Sequence, residues 1–195
     1  MQFFYSHGFH SSQNSLSYKG ICAGLNLAPL ELIYENGGDF RTNLQACKSQ
    51  LIEHKFRPPF GFIGNSLGAF YLWQLILHAP KLNIALPEVF ILFNPVFEPL
   101  SQLKKYINMP QSNSTTGAGF SLSRKNWQSY AHALRTPMPS AIRTLVFLSV
   151  DDERIDGSIS EAYWGEYAQI RHIQGGHIIS DFSALYADVH SFLMG

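Results

Sequence analysis

The sequence predicts an α/β fold in three layers, a mostly parallel sheet of about six strands with helices on both faces. Short, almost continuously apolar runs such as EVFILFN and TLVFLSV suit strands covered on both sides. Between them lie longer segments with apolar residues three and four apart, the period of helices packed against a core. The two kinds of segment alternate, which is the order that βα units produce.

Taken along the chain, strands are expected at Gln2 to Ser6, Leu30 to Glu35, Phe60 to Gly64, Val89 to Phe93, Thr144 to Val150 and Gln169 to Ile173. Helices are expected at Ser15 to Leu27, Arg41 to His54, Leu67 to His78, Ser158 to Tyr167 and Ser180 to Leu193. Between Pro95 and Pro139 the alternation lapses. MPQSNSTTGAGFSLS is rich in Ser, Thr, Asn and Gly and reads as loop or poorly ordered chain, while SRKNWQSYAHALR returns to a helical pattern with Trp127, Tyr130 and Leu134 on one side. The reading is one domain over residues 1–195 with an inserted lid-like segment at about 98–140, because insertions of this length on a compact sheet are typically lids or binding loops.

At 195 residues the chain is long enough to bury its own core, and 46% hydrophobic against 14% charged residues is the balance of a globular interior. Fourteen basic and fourteen acidic side chains cancel, and no basic stripe exists to displace counterions from a polyanion. Nucleic acid is therefore excluded as the expected partner. Cys22 and Cys47 are too few for a disulfide framework and fall in helical segments, as buried free thiols do. No apolar run reaches membrane-spanning length and MQFFYSHGFH lacks a leader pattern, so the expected setting is a reducing cytoplasm with no membrane partner.

Chemistry enters at PFGFIGNSLGAFYLWQLILHA. Gly64-Asn65-Ser66-Leu67-Gly68 follows an apolar strand and opens a helix, so Ser66 sits on a sharp strand-to-helix turn that exposes its oxygen above the sheet edge. There the backbone N–H of Leu67, at the start of the helix, would face a developing oxyanion. A serine hydroxyl is a weak nucleophile without a base, and His177 in HIQGGHIIS follows the last strand, on the same edge of the sheet. His54, His78, His132, His172 and His190 fall on helices or inside a strand and read as solvated or packed. For the acid, TLVFLSV ends in Asp151-Asp152-Glu153; either aspartate suits, and Asp156 is close behind. The order serine, aspartate, histidine is the order of α/β-hydrolase triads. His7-Gly8-Phe9 follows the first strand, where the Phe9 N–H would complete an oxyanion hole with that of Leu67. The pair His7 and His10 lacks a carboxylate or thiol companion, which argues against a metal site. Phe9, Phe70, Phe97, Tyr106, Trp127 and Tyr130 are the aromatic candidates to line an apolar substrate cleft, although each also suits ordinary core packing.

These segments resemble the small α/β-hydrolase esterases of the YqiA-like group. HGFHSSQNS is similar to its His-Gly-Phe-x-Ser-Ser opening, IGNSLGAFYL to its elbow, ILFNPVFEP to its Asn-Pro segment and DDERID to its acid loop. The resemblance implies a three-layer α/β-hydrolase fold and hydrolysis of small acyl esters or thioesters, with Ser66 as nucleophile, Asp152 as acid and His177 as base. It implies no metal or organic cofactor. Two positions depart from the pattern, Gly176 where a polar residue is common and Ser6 where an apolar one is usual; neither removes a reacting group. Thioester hydrolysis, acyl transfer or carbon–carbon cleavage on the same triad are the alternatives, and a non-catalytic binding module on a hydrolase scaffold is the alternative from another class.

Overall fold

The four central strands form where the sequence is apolar on both faces. In the computed structural model, which describes residues 1–195, the chain gives β1 (Gln2–Ser6), β2 (Leu30–Glu31), β3 (Phe60–Asn65), β4 (Val89–Phe93), β5 (Pro110–Ser112), β6 (Gly119–Ser121), β7 (Arg143–Ser149) and β8 (Gln169–Ile173). Six of them make one parallel sheet in the order β2-β1-β3-β4-β7-β8, and β5 and β6 make a separate antiparallel hairpin.

The helices are α1 (Leu16–Gly24), α2 (Phe40–Glu53), α3 (Leu67–Leu82), α4 (Pro99–Gln102), α5 (Arg124–Ser129), α6 (Gly157–Trp164) and α7 (Tyr186–Met194). Because strand side chains alternate, each strand feeds two cores. Phe4, Phe62, Phe90, Leu92 and Val146 point into the larger, with α2, α3, α6 and the inserted segment. Tyr5, Ile63, Ile91, Phe93 and Phe147 point into the smaller, closed by Ile21 and Leu25 near α1 and by Val189 and Phe192 of α7. Residues such as Trp73, 1% exposed, each contribute about 1.5–3 kcal/mol by leaving water.

Four expectations need correction. The second strand stops at Glu31 rather than Glu35, because side-chain amides of α2 take over the ladder. Gln50 bonds both the N–H and the carbonyl of Ile33, at 2.8 and 2.6 Å, and Asn43 does the same for Glu35, at 3.1 and 2.9 Å. The polar stretch 109–123 is ordered as the β5–β6 hairpin: Asn113 Oδ1 accepts from the N–H groups of Thr115 and Thr116, and Gly117 turns the chain at φ +75°. Helix α3 runs past Pro80 to Leu82, since a proline in the last turn costs one carbonyl bond and Asn83 caps the end in the left-handed conformation at φ 52°. The carboxyl-terminal helix begins only at Tyr186, after a 3₁₀ turn over Ser183–Leu185 in which the Asp181 side chain holds the Ser183 N–H.

The topology also fixes where a site can form. The chain leaves β1 toward the edge strand β2, then returns to the other side of β1 as β3 and continues outward. Connections therefore diverge at the carboxyl ends of β1 and β3, and a crevice opens between them.

Candidate active site

Ser66 stands in that crevice. Its backbone is left-handed, φ 52° and ψ −121°, a conformation that non-glycine residues adopt only when their surroundings impose it. The flanking glycines explain how the turn fits. A side-chain carbon at Gly64 would overlap Ala69 of α3, and one at Gly68 would overlap the carbonyls of Ser6 and His7. The turn is pinned by bonds from Ser66 N–H to the Phe93 carbonyl, 2.9 Å, and from Val96 N–H to the Ser66 carbonyl, 3.1 Å.

The structure brings Ser66, His177 and Asp152 together. His177 Nε2 lies 3.0 Å from Ser66 Oγ, and its Nδ1 lies 2.8 Å from Asp152 Oδ2. Asp152 Oδ1 accepts from the N–H groups of Arg154 and Ile155, 2.8 and 2.9 Å, so the carboxylate is an acceptor on both oxygens. That assigns the ring proton to Nδ1 and leaves Nε2 as the acceptor for the serine hydroxyl. Ser66 is 5% exposed, His177 8%, and the Asp152 side chain 5%, which shields the relay from water.

The two flanking acids have other tasks. Asp151 Oδ1 accepts from the N–H groups of Gly175 and Gly176, 3.1 and 3.0 Å, and Glu153 Oε2 accepts the N–H of His177 itself, 2.9 Å. The backbone bond from His177, with the adjacent Arg154, holds the Glu153 carboxyl down to about 2. Gly176, at φ +69°, also explains a departure from the family pattern: a side chain there would press on Glu153 Oε2 at 3.0 Å. Ser6 explains the other, since its buried hydroxyl donates to the Leu32 carbonyl at 2.9 Å and ties β1 to the chain beyond β2.

Asn94 was outside the residues given a role from sequence. It follows β4 at φ 43° and is 2% exposed. Its Nδ2 lies within 2.9 Å of Ser149 Oγ, 3.1 Å of the His177 carbonyl and 3.2 Å of the Gly176 carbonyl, while its Oδ1 accepts the Ser149 N–H at 2.8 Å. One side chain thus joins the ends of β4 and β7 to the imidazole loop. Its signal in the sequence is an Asn-Pro pair at the end of an apolar strand.

Phe9 lies 5% exposed beside the serine, and its backbone N–H has no protein acceptor. Leu67 opens α3, where an N–H has no partner within the helix. A side-chain carbon at Gly8 would come within 3.3 Å of Ser66 Cβ, so the first loop abuts the serine. His7 is fully buried, stacks on Tyr34 at 4.4 Å and bonds the Gly8 carbonyl through Nδ1 at 2.9 Å; burial lowers its pKa from 6.5 to about 4. His10 is engaged by Gln111 at 2.9 Å. No group of three or more His, Cys, Asp or Glu side chains is arranged to hold a metal ion, and no helix is long and apolar enough to cross a membrane. Cys47 is buried, its thiol pushed up to about 12, and Cys22 is half-buried; neither lines the cavity beside Ser66.

A cavity of about 100 Å³ adjoins Ser66 and His177, with Phe9, Val96, Leu103, Tyr106, Ile155 and Ile178 as its apolar wall. Of the aromatic candidates only Phe9 and Tyr106 line it. Phe97 is a correction: it stacks between Trp73 and Tyr163, at 5.1 and 4.5 Å. So is Trp127, whose Nε1 donates to the Leu100 carbonyl, and so are Tyr130 and Phe70, buried against Phe40 with the Tyr130 hydroxyl 2.8 Å from that of Tyr71. These rings complete the packing between the inserted segment and α2 and α3. Leu103 is instead the residue that caps α4, Ile155 lies three residues after Asp152, and Ile178 follows His177 directly.

A parallel sheet with the chain reversal between β1 and β3, and with a serine, an acid and a histidine beyond the ends of β3, β7 and β8, defines the α/β-hydrolase fold. Solved structures agree on the fold. Est1E from Butyrivibrio proteoclasticus superposes with a TM-score of 0.72 at 13% identity, covering 99% of this chain and 86% of that one. The RedJ thioesterase of the prodiginine pathway in Streptomyces coelicolor gives 0.68 at 14%, covering 98% and 85%. Mouse α/β hydrolase domain-containing protein 10 gives 0.70 at 14%, covering 99% and 89%. No curated protein sequence matches the chain. The chain belongs to the uncharacterised protein family UPF0227, which matches residues 2–194, and this is the YqiA-like family to which its motifs point.

Proposed function

We propose that the protein is a serine hydrolase of small acyl esters or thioesters, working through Ser66, His177 and Asp152 with an acyl-enzyme intermediate. The observation that carries the reading is the unbroken chain of contacts from Ser66 Oγ to Nε2, 3.0 Å, and from Nδ1 to Asp152, 2.8 Å, on a strained turn facing a cavity. His177 takes the proton from Ser66 as Oγ attacks the acyl carbon, and Asp152 keeps the imidazole in the tautomer that can do so. The N–H groups of Phe9 and Leu67 receive the oxyanion. The proton passes to the leaving group, and water activated by the same imidazole releases the acid. These steps use the chain's own side chains, two backbone N–H groups and water. Residues 1–195 act as one hydrolase domain in this reading, and the inserted segment roofs the site, since Gln102, Leu103, Tyr106 and Ser114 reach the cavity from it. The names of the neighbours, an Est1E and a thioesterase, support oxygen and sulfur leaving groups equally.

A fluorophosphonate probe tests the nucleophile. The folded chain should be labelled and Ser66→Ala should not; an unlabelled wild-type protein of intact fold overturns the reading. Relative rates on p-nitrophenyl esters and acyl thioesters then decide the leaving group.

A further inference from the structure

The cavity beside Ser66 has an uneven charge. No carboxylate reaches its wall, and Arg154 is its one permanently charged side chain. Arg154 is also held in place. Its Nε donates to Glu153 Oε1 at 3.0 Å, and the other oxygen of Glu153 accepts the His177 N–H at 2.9 Å, so a single carboxylate links the guanidinium to the backbone of the base. Neither Nη1 nor Nη2 has a protein acceptor. Those two nitrogens form the outer edge of the fork, the edge that matches a carboxylate or phosphate with two parallel hydrogen bonds.

Glu153 engages only the Nε side of Arg154, and a second cation stands close. Lys105 has no carboxylate partner and lies 5.2 Å over the ring of Tyr106, a cavity residue. His10 and Arg154 both line this cavity.

The geometry points to a substrate whose leaving group carries an anion, a carboxylate or a phosphate, bound by the free edge of Arg154. This rests on the hydrolase reading and adds the substrate class. The side of the site follows from the chemistry: the proton that Nε2 takes from Ser66 must be delivered to the departing oxygen or sulfur as its bond to the acyl carbon breaks. The departing group therefore lies against His177, and Arg154 follows directly on Asp152 and Glu153, the two residues of the acid loop that bond His177.

The experiment compares esters that share an acetyl group. Methyl 4-acetoxybenzoate is set against 4-acetoxybenzoate, and phenyl acetate against 4-acetoxyphenyl phosphate, with the full chain at low and at high salt. The wild-type protein should prefer the anionic member of at least one pair by about tenfold in kcat/KM, mostly through KM, and salt should shrink that preference. Which pair shows it separates carboxylate from phosphate. Arg154→Gln should bring the ratio near one and Arg154→Lys should keep part of it. A wild-type ratio near one for both pairs overturns the inference, as does a ratio untouched by Arg154→Gln, or an equal loss on both members, which would mean that Arg154 only supports the loop. If the neutral esters are hydrolysed and the preference is absent, the inference alone fails. If folded protein turns over none of the esters, the hydrolase reading fails and the inference with it.

Discussion

Replacing Asn94 by alanine removes four hydrogen-bonding contacts from one buried point. Ser149 N–H loses its acceptor at 2.8 Å, and the carbonyls of His177 and Gly176 lose their shared donor. A buried N–H without a partner costs about 1–3 kcal/mol. Alanine must also accept the left-handed φ of 43°, which asparagine tolerates and which adds about 1 kcal/mol. The expected loss of folding stability is thus about 2–4 kcal/mol, measured as the shift in urea midpoint at constant slope. The second effect is on the base. With its carbonyl released, His177 is held only from the acid side, and a displacement near 1 Å is worth about 10²-fold in rate. Fluorophosphonate labelling of Asn94→Ala, under conditions where the variant is fully folded, should slow about 10- to 100-fold. Ser149→Ala, which removes only a hydroxyl acceptor of Asn94, should slow labelling far less. A variant destabilised by under about 1 kcal/mol and labelled at the wild-type rate would refute the claim that Asn94 positions the base.

Three further outcomes follow from the same geometry. Gly68→Ala drives a methyl group into the Ser6 and His7 carbonyls, buried backbone at and just past the end of β1 that does not yield, so the variant should lose about 3 kcal/mol or more and little of it should accumulate folded, as judged by denaturation and soluble yield. His7, lowered to about 4 by burial, binds fewer protons folded than unfolded between pH 6.5 and 4, so stability falls as pH drops through that window, by about 3 kcal/mol; urea midpoints at pH 7 and 4.5 should converge in His7→Gln relative to wild type, and an unchanged difference would count against it. Asp152→Asn presents an N–H to Nδ1, which favours the wrong tautomer, and should slow ester turnover about 10⁴-fold, whereas Asp151→Asn, exposed and bonded to two glycine N–H groups, should cost under about tenfold; equal losses would reverse the assignment.

Much of the site was legible because steric demands leave marks in sequence. Only glycine fits where α3 crosses the ends of β1 and β3, so Gly64 and Gly68 announce the turn that carries Ser66. The four central strands were legible because burial on both faces makes them apolar throughout. Features built from long-range polar contacts were not. Nothing near Ile33 tells that Gln50 will end its strand pairing, and nothing in the Ser- and Thr-rich stretch tells that its Ser114 N–H will bond the His10 carbonyl at 2.7 Å and dock the hairpin on the first loop. The aromatic residues misled for a related reason. A buried core and a substrate pocket both call for Phe, Tyr and Trp, and only the packing shows that Phe97, Trp127 and Tyr130 belong to the first.

The acid loop shows why neighbouring carboxylates can have separate duties. A turn after β7 points three successive side chains at one partner loop, and the partner offers three kinds of donor: glycine N–H groups to Asp151, the ring Nδ1–H to Asp152 and the His177 N–H to Glu153. Only the ring responds to which group accepts from it, because in the proposed acyl transfer the imidazole alone changes its proton. Asp151 and Glu153 see amides that stay neutral throughout, so they can set position without sharing in the charge. Asn94 closes the same loop from β4 through its carbonyls. The imidazole is therefore located by the ends of β4 and β7 rather than by its own strand, whose last residues are exposed or half-buried and could not hold it. A bare backbone at Gly175 and Gly176 is what lets two acids reach main-chain N–H groups there, and it makes the loop's glycines part of the positioning of His177.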